Sequence, residues 1–303
     1  MRKIAVSVGD LNGVGIEIAL RSHSTISSMC DIVYCIDKQM LYQASSLLNI
    51  EIPSSFTLSD LISEQFSIEP SSIDAKSGRY SYDSFYNAVE LAESKMVDAI
   101  VTLPIHKESW AKAGLKFVGH TDFLRQYFRQ DAIMMLGCEK LFVALYTEHV
   151  PLKDVASKIK KEPLSKFLIT LHSCIKAERI ALLALNPHAG DGGVLGSEEI
   201  EIAAAAKIAN AHIGADIFTE PLVPDTAFTP AAIAKHSYMV AMYHDQGLAP
   251  LKALYFDQSI NISLNLPIVR TSVDHGTAFD IAYKNRASTT SYINAIKAAV
   301  KLS

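Results

Sequence analysis

The sequence predicts an α/β fold built on a mostly parallel β-sheet. Short apolar runs alternate with stretches whose apolar residues recur every three to four positions, which is typical of strands that alternate with helices. Several of the runs are continuously apolar, as expected for strands that are covered on both faces. The chain is 49% hydrophobic and 20% charged, so it has enough apolar material to form a large core. Its 303 residues favour about two domains.

The predicted elements follow one another along the whole chain. The apolar runs predict strands at residues 4–8, 32–36, 99–103, 141–146, 180–185, 238–243 and 260–264. The three-to-four spacing predicts helices at residues 82–96, 198–211 and 291–302. Ser197 is the predicted N-cap of the second of these helices. The Ser-rich residues 54–72 are predicted to form a surface excursion.

Composition excludes several classes of function. A net charge of -4 gives no basic surface for nucleic acid. No apolar run approaches the roughly 18 residues of a membrane helix, and Asp10 interrupts the first run too early for a signal peptide, so we expect a cytoplasmic protein. The chain has four cysteines, none of them in a CxxC pair, and we expect reduced, mostly buried thiols rather than a catalytic thiol: Cys30, Cys35, Cys138 and Cys174.

Two glycine-rich loops precede predicted helices, at residues 9–15 and 190–196. Neither has the G-x-G-x-x-G spacing of the common dinucleotide-binding loop, so an ordinary site of that kind is not predicted. Each loop fits two interpretations equally well. It could bind an anion through free backbone N–H groups, or it could be a tight turn from strand to helix.

Three histidines share one context, because His149, His188 and His244 each stand at or just beyond the end of a predicted strand. The carboxyl ends of parallel strands meet at one edge of a sheet, where ligands bind. Three neutral imidazoles suit a divalent metal and leave a coordination position for a substrate oxygen. The residues alone leave a metal site and separate structural histidines equally open. Glu148 and Asp245 either orient these rings or are solvated surface charges.

A second group of residues is polar and partly cationic. Its members are His120, Thr121, Lys252, Asn261 and Arg270. Arginine and lysine offer donors that match phosphate or carboxylate oxygens, and a charge beside a buried segment requires a partner. That partner is either a bound anionic substrate or an internal carboxylate.

The chain contains several long and specific motifs. They are NPHAGDGG at 186–193, YHDQGL at 243–248 followed by Lys252, LPIVRTSVDHGTA at 266–278, GHT at 119–121 and TEHVPL at 147–152. Together these motifs resemble the 4-hydroxythreonine-4-phosphate dehydrogenase family. The resemblance runs nearly end to end and is densest between residues 119 and 280. It implies an isocitrate/isopropylmalate dehydrogenase-like fold with two α/β/α lobes and a cleft between them. That fold binds NAD without the common glycine loop.

The resemblance also implies roles for individual residues. His149, His188 and His244 are the expected ligands of a divalent metal (Zn, Mg, Co or Mn) and, with Lys252, the expected catalytic residues. The expected substrate contacts are His120, Thr121, Lys252, Asn261 and Arg270. His275, Gly276 and Asp280 resemble the adenine-side segment that binds NAD or NADP. The family implies a homodimer whose metal site takes ligands from both subunits. The expected lobes are residues 1–118 with 271–303 on the cofactor side, and 119–270 for metal, substrate and dimerisation.

The implied reaction is the oxidation of 4-phosphooxy-L-threonine by NAD or NADP, followed by loss of its carboxyl group to give 3-amino-2-oxopropyl phosphate for pyridoxine 5'-phosphate synthesis. Three alternatives are a dehydrogenase for a related 4-phosphorylated hydroxy acid, a phosphate acyltransferase of the same fold and a non-catalytic metal-binding protein. Two segments depart from the family pattern. Leu11 and Ile16 replace prolines, and residues 283–287 lack the glycine of the wider superfamily's cofactor loop, so the sequence does not separate NAD from NADP.

Overall fold

The structure, a computed structural model, describes all 303 residues. Its regular elements, in chain order up to residue 132, are β1 Lys3–Ser7, α1 Gly15–Ile26, β2 Asp31–Cys35, α2 Lys38–Leu48, β3 Thr57–Leu58, α3 Ala75–Glu93, β4 Ala99–Thr102, α4 Lys107–Lys112 and α5 His120–Phe128. From residue 133 to 259 they are β5 Ile133–Cys138, β6 Leu141–Leu145, α6 Leu152–Lys158, α7 Lys161–Ile175, β7 Ala181–Leu182, α8 Glu198–Ile213, α9 Pro224–Ala227, α10 Pro230–Ile233, β8 Tyr238–Ala241 and α11 His244–Tyr255. The last are β9 Ile260–Leu264, β10 Val269–Val273 and α12 Thr290–Leu302.

The chain forms two compact units. The first unit consists of Met1–Ala132 and Ile260–Ser303. Its strands lie in the order β3-β2-β1-β4-β10-β9, and every neighbouring pair is parallel except β10 with β9. Helices α3 and α12 pack against β1, β4 and β10, so these strands are buried. This burial explains why β1 and β4 appear in the sequence as nearly continuous apolar runs, whereas β10 carries the buried polar residues Arg270, Thr271 and Ser272.

The second unit consists of Ile133–Ser259. Its strands lie in the order β5-β6-β8-β7, with β5 and β6 antiparallel and the other pairs parallel. Its core is formed by apolar side chains of β5, β6, β7, β8 and α11, among them Val143, Ala181 and Leu251. The parallel strands β6, β8 and β7 end at one edge, and the segments that follow them carry the three predicted metal-ligand histidines.

The predicted α/β class, and all seven predicted strands, are confirmed to within a few residues at their ends. The sequence analysis predicted no strand at β3, β5 or β10. The strand β10 has no apolar run, because its sequence VRTSV around Arg270 mixes polar and apolar residues. Ser197 occupies the predicted N-cap position, but its side chain makes no capping bond. The units divide at residues 132 and 260, whereas the expected lobes divide at 118 and 271, because α5 and β9 pack within the first unit.

All four cysteines are free, and Cys30, Cys35 and Cys138 are buried, as the sequence predicts. Burial raises the pKa of Cys30 to about 11 and that of Cys35 to about 12, so neither is a nucleophile at neutral pH. None of the helices is both long and apolar enough to cross a membrane.

Candidate active site

Arg270 is the most unusual charged residue of the first unit. It lies in β10, between β4 and β9, and only 2% of it is exposed. Its Nη1 donates to Ser263 Oγ at 2.9 Å and its Nη2 donates to Thr102 Oγ1 at 2.7 Å. None of its hydrogen bonds or ion pairs is with a carboxylate, which excludes the internal ion pair that the sequence left open. Burial lowers the pKa of Arg270 to about 9, so the group stays protonated at neutral pH.

His120 is the third partner of this guanidinium. Its Nδ1 lies 3.2 Å from Arg270 Nη2, and its ring packs edge-on against Phe85 and Trp110. Burial, and then the charge of Arg270, lower the pKa of His120 well below its usual value, so the imidazole is neutral. Because arginine can only donate, Nδ1 accepts and the ring proton resides on Nε2. This Nε2 is buried and has no hydrogen-bond partner, so a buried N–H donor remains available.

Two further predicted contacts lie in the same unit. His120 and Thr121 open α5, a nine-residue helix, so their backbone N–H groups belong to its first turn, which favours anions. Asn261 lies in β9, and its Oδ1 is buried without a hydrogen-bond partner. The first unit therefore brings Arg270 and His120 into direct contact and leaves several buried polar atoms without partners.

The predicted metal-ligand histidines all belong to the second unit. His149 and His244 follow neighbouring parallel strands, and their ring centroids are 5.5 Å apart. His188 follows β7, which is the strand beyond β8, and it is exposed. Within this single chain, no three His, Cys, Asp or Glu side chains form a group that could hold a metal ion. The assignment of all three histidines to one metal therefore remains a prediction.

Hydrogen bonds join the segments that carry His149 and His244. Thr147 Oγ1 donates to the carbonyl of Met242 at 2.7 Å. Gln246 accepts from Met242 N at 2.7 Å and donates to Ala184 O at 2.6 Å, which ties the end of β8 to that of β7. His244 Nδ1 lies 2.7 Å from Asp245 Oδ1. This contact fits the orienting role, one of the two that the sequence left open for Asp245, whose side chain is 83% exposed, and it leaves Nε2 of His244 for a ligand.

His188 lies in a left-handed turn. Residues 188–192 all have positive φ, between 45° and 79°. Gly190 is required here, because a Cβ at this position would lie 2.8 Å from the backbone carbonyl oxygen of Gly196. Glu199 accepts from the backbone N–H groups of Leu185 and Asn186, at 2.9 and 2.7 Å, and so holds the base of the turn. A non-glycine residue in this conformation costs on the order of 1 kcal/mol or more, so the turn depends on such contacts.

Lys252 lies in α11 of the second unit and is half-buried, with its ammonium 5.9 Å from the ring centre of Phe256. The residues that the resemblance assigns to substrate thus divide between the units. Lys252 belongs to the second unit, and the other four belong to the first.

The predicted cofactor segment lies in the first unit. His275 Nε2 is buried without a hydrogen-bond partner, and a Cβ added to Gly276 would meet no atom within 4 Å. Asp280 is exposed, in a short 3₁₀ turn at Phe279–Ile281. An unpaired buried nitrogen beside an open backbone fits a ligand-binding segment, while NAD contact itself remains a prediction.

The first glycine-rich loop is a packed turn. Asn12 N donates to Asp10 Oδ1, Gly13 N donates to Asp10 O, and Val14 N donates to Thr277 O, all at 3.0 Å. These N–H groups are therefore occupied. Of the two interpretations that the sequence left open for this loop, the structure supports the turn. Gly13 is needed because a Cβ here would lie 2.9 Å from Thr277.

Sequence reasoning missed four residues that hold the candidate site: Thr102, Ser263, Gln246 and Glu199. Each is polar and packs in or beside a segment that is otherwise buried. Such residues require a hydrogen-bond partner. Ser263, a polar residue between the apolar Ile262 and Leu264 of β9, is the one that this signal could have revealed.

Comparison with known proteins agrees with the resemblance. A family model described as "Pyridoxal phosphate biosynthetic protein PdxA" matches residues 28–299. The chain is 60% identical over 300 residues to a 4-hydroxythreonine-4-phosphate dehydrogenase from Sulfurimonas denitrificans, with 99% of this chain and 97% of the relative covered. A crystal structure of a 4-hydroxythreonine-4-phosphate dehydrogenase from Klebsiella pneumoniae has a TM-score of 0.84 at 31% identity, with 100% of this chain and 99% of that chain covered.

A more distant likeness concerns the fold alone. An isocitrate dehydrogenase from Methylococcus capsulatus has a TM-score of 0.50 at 12% identity, and 99% of this chain and 85% of that chain are covered. The expected isocitrate dehydrogenase-like α/β class is thereby confirmed.

Proposed function

Because the chain belongs to the PdxA family of 4-hydroxythreonine-4-phosphate dehydrogenases, we propose that it is an oxidoreductase that converts 4-phosphooxy-L-threonine to 3-amino-2-oxopropyl phosphate in the synthesis of pyridoxine 5'-phosphate. The substrate is oxidised at its C3 hydroxyl by a nicotinamide cofactor. The resulting β-keto acid then loses its carboxyl group as carbon dioxide.

The observation that carries the proposal is the buried guanidinium of Arg270. A buried cation without a carboxylate partner is costly unless an anion neutralises it. Arg270 is held by two hydroxyls and a neutral imidazole, so its positive charge remains uncompensated. A phosphate ester supplies the missing negative charge, and its oxygens accept hydrogen bonds from Arg270 Nε and His120 Nε2, which are both unpartnered. The first turn of α5, with Thr121, adds backbone donors.

The histidines of the second unit support metal dependence. His149 and His244 have rings in contact, and Asp245 contacts one ring nitrogen of His244. Imidazole donors suit Zn or Co better than Mn or Mg, which prefer oxygen ligands. His188 is the proposed third ligand. A divalent cation held there supplies Lewis-acid chemistry, which lowers the pKa of an alcohol and stabilises negative charge on oxygen. Lys252 adds an ammonium donor for an oxygen that gains charge during oxidation and decarboxylation.

We assign the nicotinamide cofactor to the segment that contains His275, Gly276 and Asp280. The unpaired buried Nε2 of His275 supports this assignment, as does the open backbone at Gly276. Lys284 and Arg286 are both exposed beside this segment, which makes NADP as well as NAD a cofactor to test.

A homodimer with ligands from both subunits is part of the proposal. The second unit exposes several large apolar side chains, with Leu152 68%, Val194 80% and Ile200 69% exposed. A second copy would cover such residues and would complete the ligand set around His149 and His244. The biosynthetic role in the description of the family model favours action in the cytoplasm.

The decisive experiment is an absorbance assay for reduced cofactor with the purified full-length chain. Its arms are 4-phosphooxy-L-threonine or 4-phospho-erythronate, NAD or NADP, and added Zn, Mg, Mn or Co. We expect turnover of the threonine derivative with at least one metal, and loss of turnover after chelation. Absence of reduced cofactor in every arm would contradict the proposal. Faster turnover of the erythronate would mean that the substrate is the related hydroxy acid.

The anion assignment has its own test in Arg270→Lys. Lysine keeps the charge but loses the fork of donors, and a hydrogen bond to a charged group contributes about 1.5–3 kcal/mol, so KM for the phosphorylated substrate should rise roughly 10- to 100-fold. Arg79→Lys is the control, because Arg79 is exposed and pairs with Asp83 in α3. An unchanged KM in Arg270→Lys would show that the phosphate binds elsewhere.

A further inference from the structure

The geometry points to Thr102 and Ser263 as positioning residues for the anion site, a role that rests on the proposed function of Arg270. We infer that these two hydroxyls hold the guanidinium while leaving its charge unpaired, and that this arrangement sets the affinity for the phosphate group. Neither residue belongs to the substrate contacts that the family resemblance implies.

The strand order brings the three side chains together. Arg270 in β10 pairs across the sheet with Ser263 in β9, and β4, on the other side of β10, ends at Thr102. Ser263 Oγ accepts from Nη1 at 2.9 Å, and Thr102 Oγ1 accepts from Nη2 at 2.7 Å. Thr102 is 0%, Ser263 3% and Arg270 2% exposed, so water does not compete for these bonds. One hydroxyl on each side therefore fixes the plane of the guanidinium.

The choice of hydroxyls has a chemical consequence. A carboxylate at either position would orient the guanidinium equally well, but it would also neutralise the charge that an anion needs. A hydroxyl accepts through its oxygen and carries no charge. It also keeps a proton that it can donate, and neither Thr102 nor Ser263 donates to a protein acceptor.

The buried surroundings of Arg270 therefore contain several hydrogen-bond donors that have no acceptor in the protein. Besides the two hydroxyl protons, Arg270 Nε and His120 Nε2 are buried without hydrogen-bond partners. Four donors around one positive charge match the oxygens of a phosphate monoester, which only accept when doubly ionised.

The test measures the binding of inorganic phosphate by calorimetry, together with KM and kcat for the phosphorylated substrate, in the full-length protein. Thr102→Val keeps the side-chain shape and Ser263→Ala removes one oxygen, so each deletes one hydroxyl bond. Each should weaken phosphate binding about three- to tenfold and raise KM by a similar factor, with kcat changed less than about twofold. Thr102→Ser should restore binding to within about twofold.

Thr271→Val is the matched control. Thr271 lies beside Arg270 in β10 and is 0% exposed, but its hydroxyl donates to Ala295 O in α12. It should leave phosphate affinity unchanged. Equal losses in Thr271→Val and Thr102→Val would overturn the inference, because they would report general damage to the sheet. If Thr102→Val does not fold, Ser263→Ala decides by the same criteria.

The outcomes separate this inference from the proposed function. If Arg270→Lys loses phosphate binding while Thr102→Val and Ser263→Ala bind like the wild type, the positioning role is wrong and the anion site stands. If all three variants bind phosphate like the wild type, the anion site itself is wrong. A lowered melting temperature with unchanged phosphate affinity in both hydroxyl variants would show that the two hydroxyls have only a structural role. That result would also overturn the inference.

Discussion

Asp10 shows how a single buried residue can cost stability. It is 0% exposed, and burial is the main cause that raises the pKa of its carboxyl. Oδ1 accepts from Asn12 N, whereas Oδ2 is buried without a hydrogen bond. The nearby hydroxyls of Ser109 and Ser77 lower the pKa of Asp10, but burial raises it by more.

The substitution Asp10→Asn should stabilise the protein at neutral pH. A raised folded-state pKa means that the stability Asp10 contributes is fully present below the unfolded pKa and is lost as pH rises through the folded pKa. The amide keeps the acceptor for Asn12 and removes the buried charge. We therefore expect a higher melting temperature at neutral pH, with a difference that shrinks as pH falls towards the ordinary carboxyl value of 3.8.

Thermal unfolding across a series of pH values checks this expectation. The exposed Asp257 provides the control, because Asp257→Asn should shift the melting temperature by less than about 1 °C. A lower melting temperature for Asp10→Asn at neutral pH would mean that the folded protein favours the ionised carboxylate.

His120 should remain neutral throughout the physiological range. Its pKa is lowered by burial and by Arg270, so the stability it contributes is present above the unfolded value near 6.5 and is lost as pH falls through the folded value. Nitrogen NMR of the imidazole should show a neutral ring with Nε2 protonated from about pH 6 to 8. The urea-unfolded protein, in which the ring titrates near 6.5, is the reference. A protonated ring in the folded protein near neutrality would contradict the donor role of Nε2.

At the scale of elements, the left-handed turn after β7 depends on the start of α8. Glu199 accepts from two backbone N–H groups and from Asn186 Nδ2 at 3.0 Å, and Glu198 accepts from the same amide at 2.7 Å. The hydrogen bond from Asn186 is the main cause that lowers the pKa of Glu198. Two carboxylates at a helix N-terminus thus anchor the turn that carries His188.

Glu199→Ala should loosen this turn. It leaves the N–H groups of Leu185 and Asn186 without acceptors, so their hydrogen exchange should accelerate, and the proposed metal affinity should fall roughly 10- to 100-fold. Exchange mass spectrometry and cobalt titration measure the two effects. Glu201→Ala is the control, because Glu201 in the same helix accepts from Lys161 N in α7 instead. Unchanged exchange and unchanged cobalt affinity in Glu199→Ala would refute the anchoring role.

The two segments that depart from the family pattern meet in the folded chain. Tyr283 donates its hydroxyl proton to the carbonyl of Leu11 at 2.7 Å. Glu17 Oε1 accepts from Ala287 N at 3.0 Å, and Arg21 donates to Ala287 O at 2.7 Å. The segment 283–287 is therefore held against the first loop and α1, which explains how it can be ordered without a glycine at its centre.

At the scale of the whole molecule, the exposed apolar residues of the second unit bear on assembly. We expect Ile200→Glu to weaken the proposed dimer by at least about tenfold, because a charge would be buried at the interface without a partner. Sedimentation velocity measures the shift to monomer, and activity should fall with it. Ile62→Glu is the control, since Ile62 is 94% exposed in the first unit. An active monomer of the wild type at assay concentration would rule out a shared site.

Much of the architecture could be read from local patterns. The nearly continuous apolar run at residues 99–103 becomes a strand because burial on both faces selects apolar residues, and the strand at 260–264 alternates apolar with polar residues. The short strand β7 is predicted too long, since only Ala181 and Leu182 pair with β8. The strand β10 was missed, because the residues of VRTSV depend on their neighbours in the sheet for burial.

The sequence by itself determined the family, the α/β class and those candidate-site residues that lie in the family motifs, because long motifs and periodic burial are local properties of the chain. The tertiary structure alone decided what those residues touch. Thr102 meets Arg270 across 168 positions, and His120 meets it across 150. Only the order of strands in the sheet sets such pairs, and no local pattern encodes that order, since it follows from how the buried faces pack together.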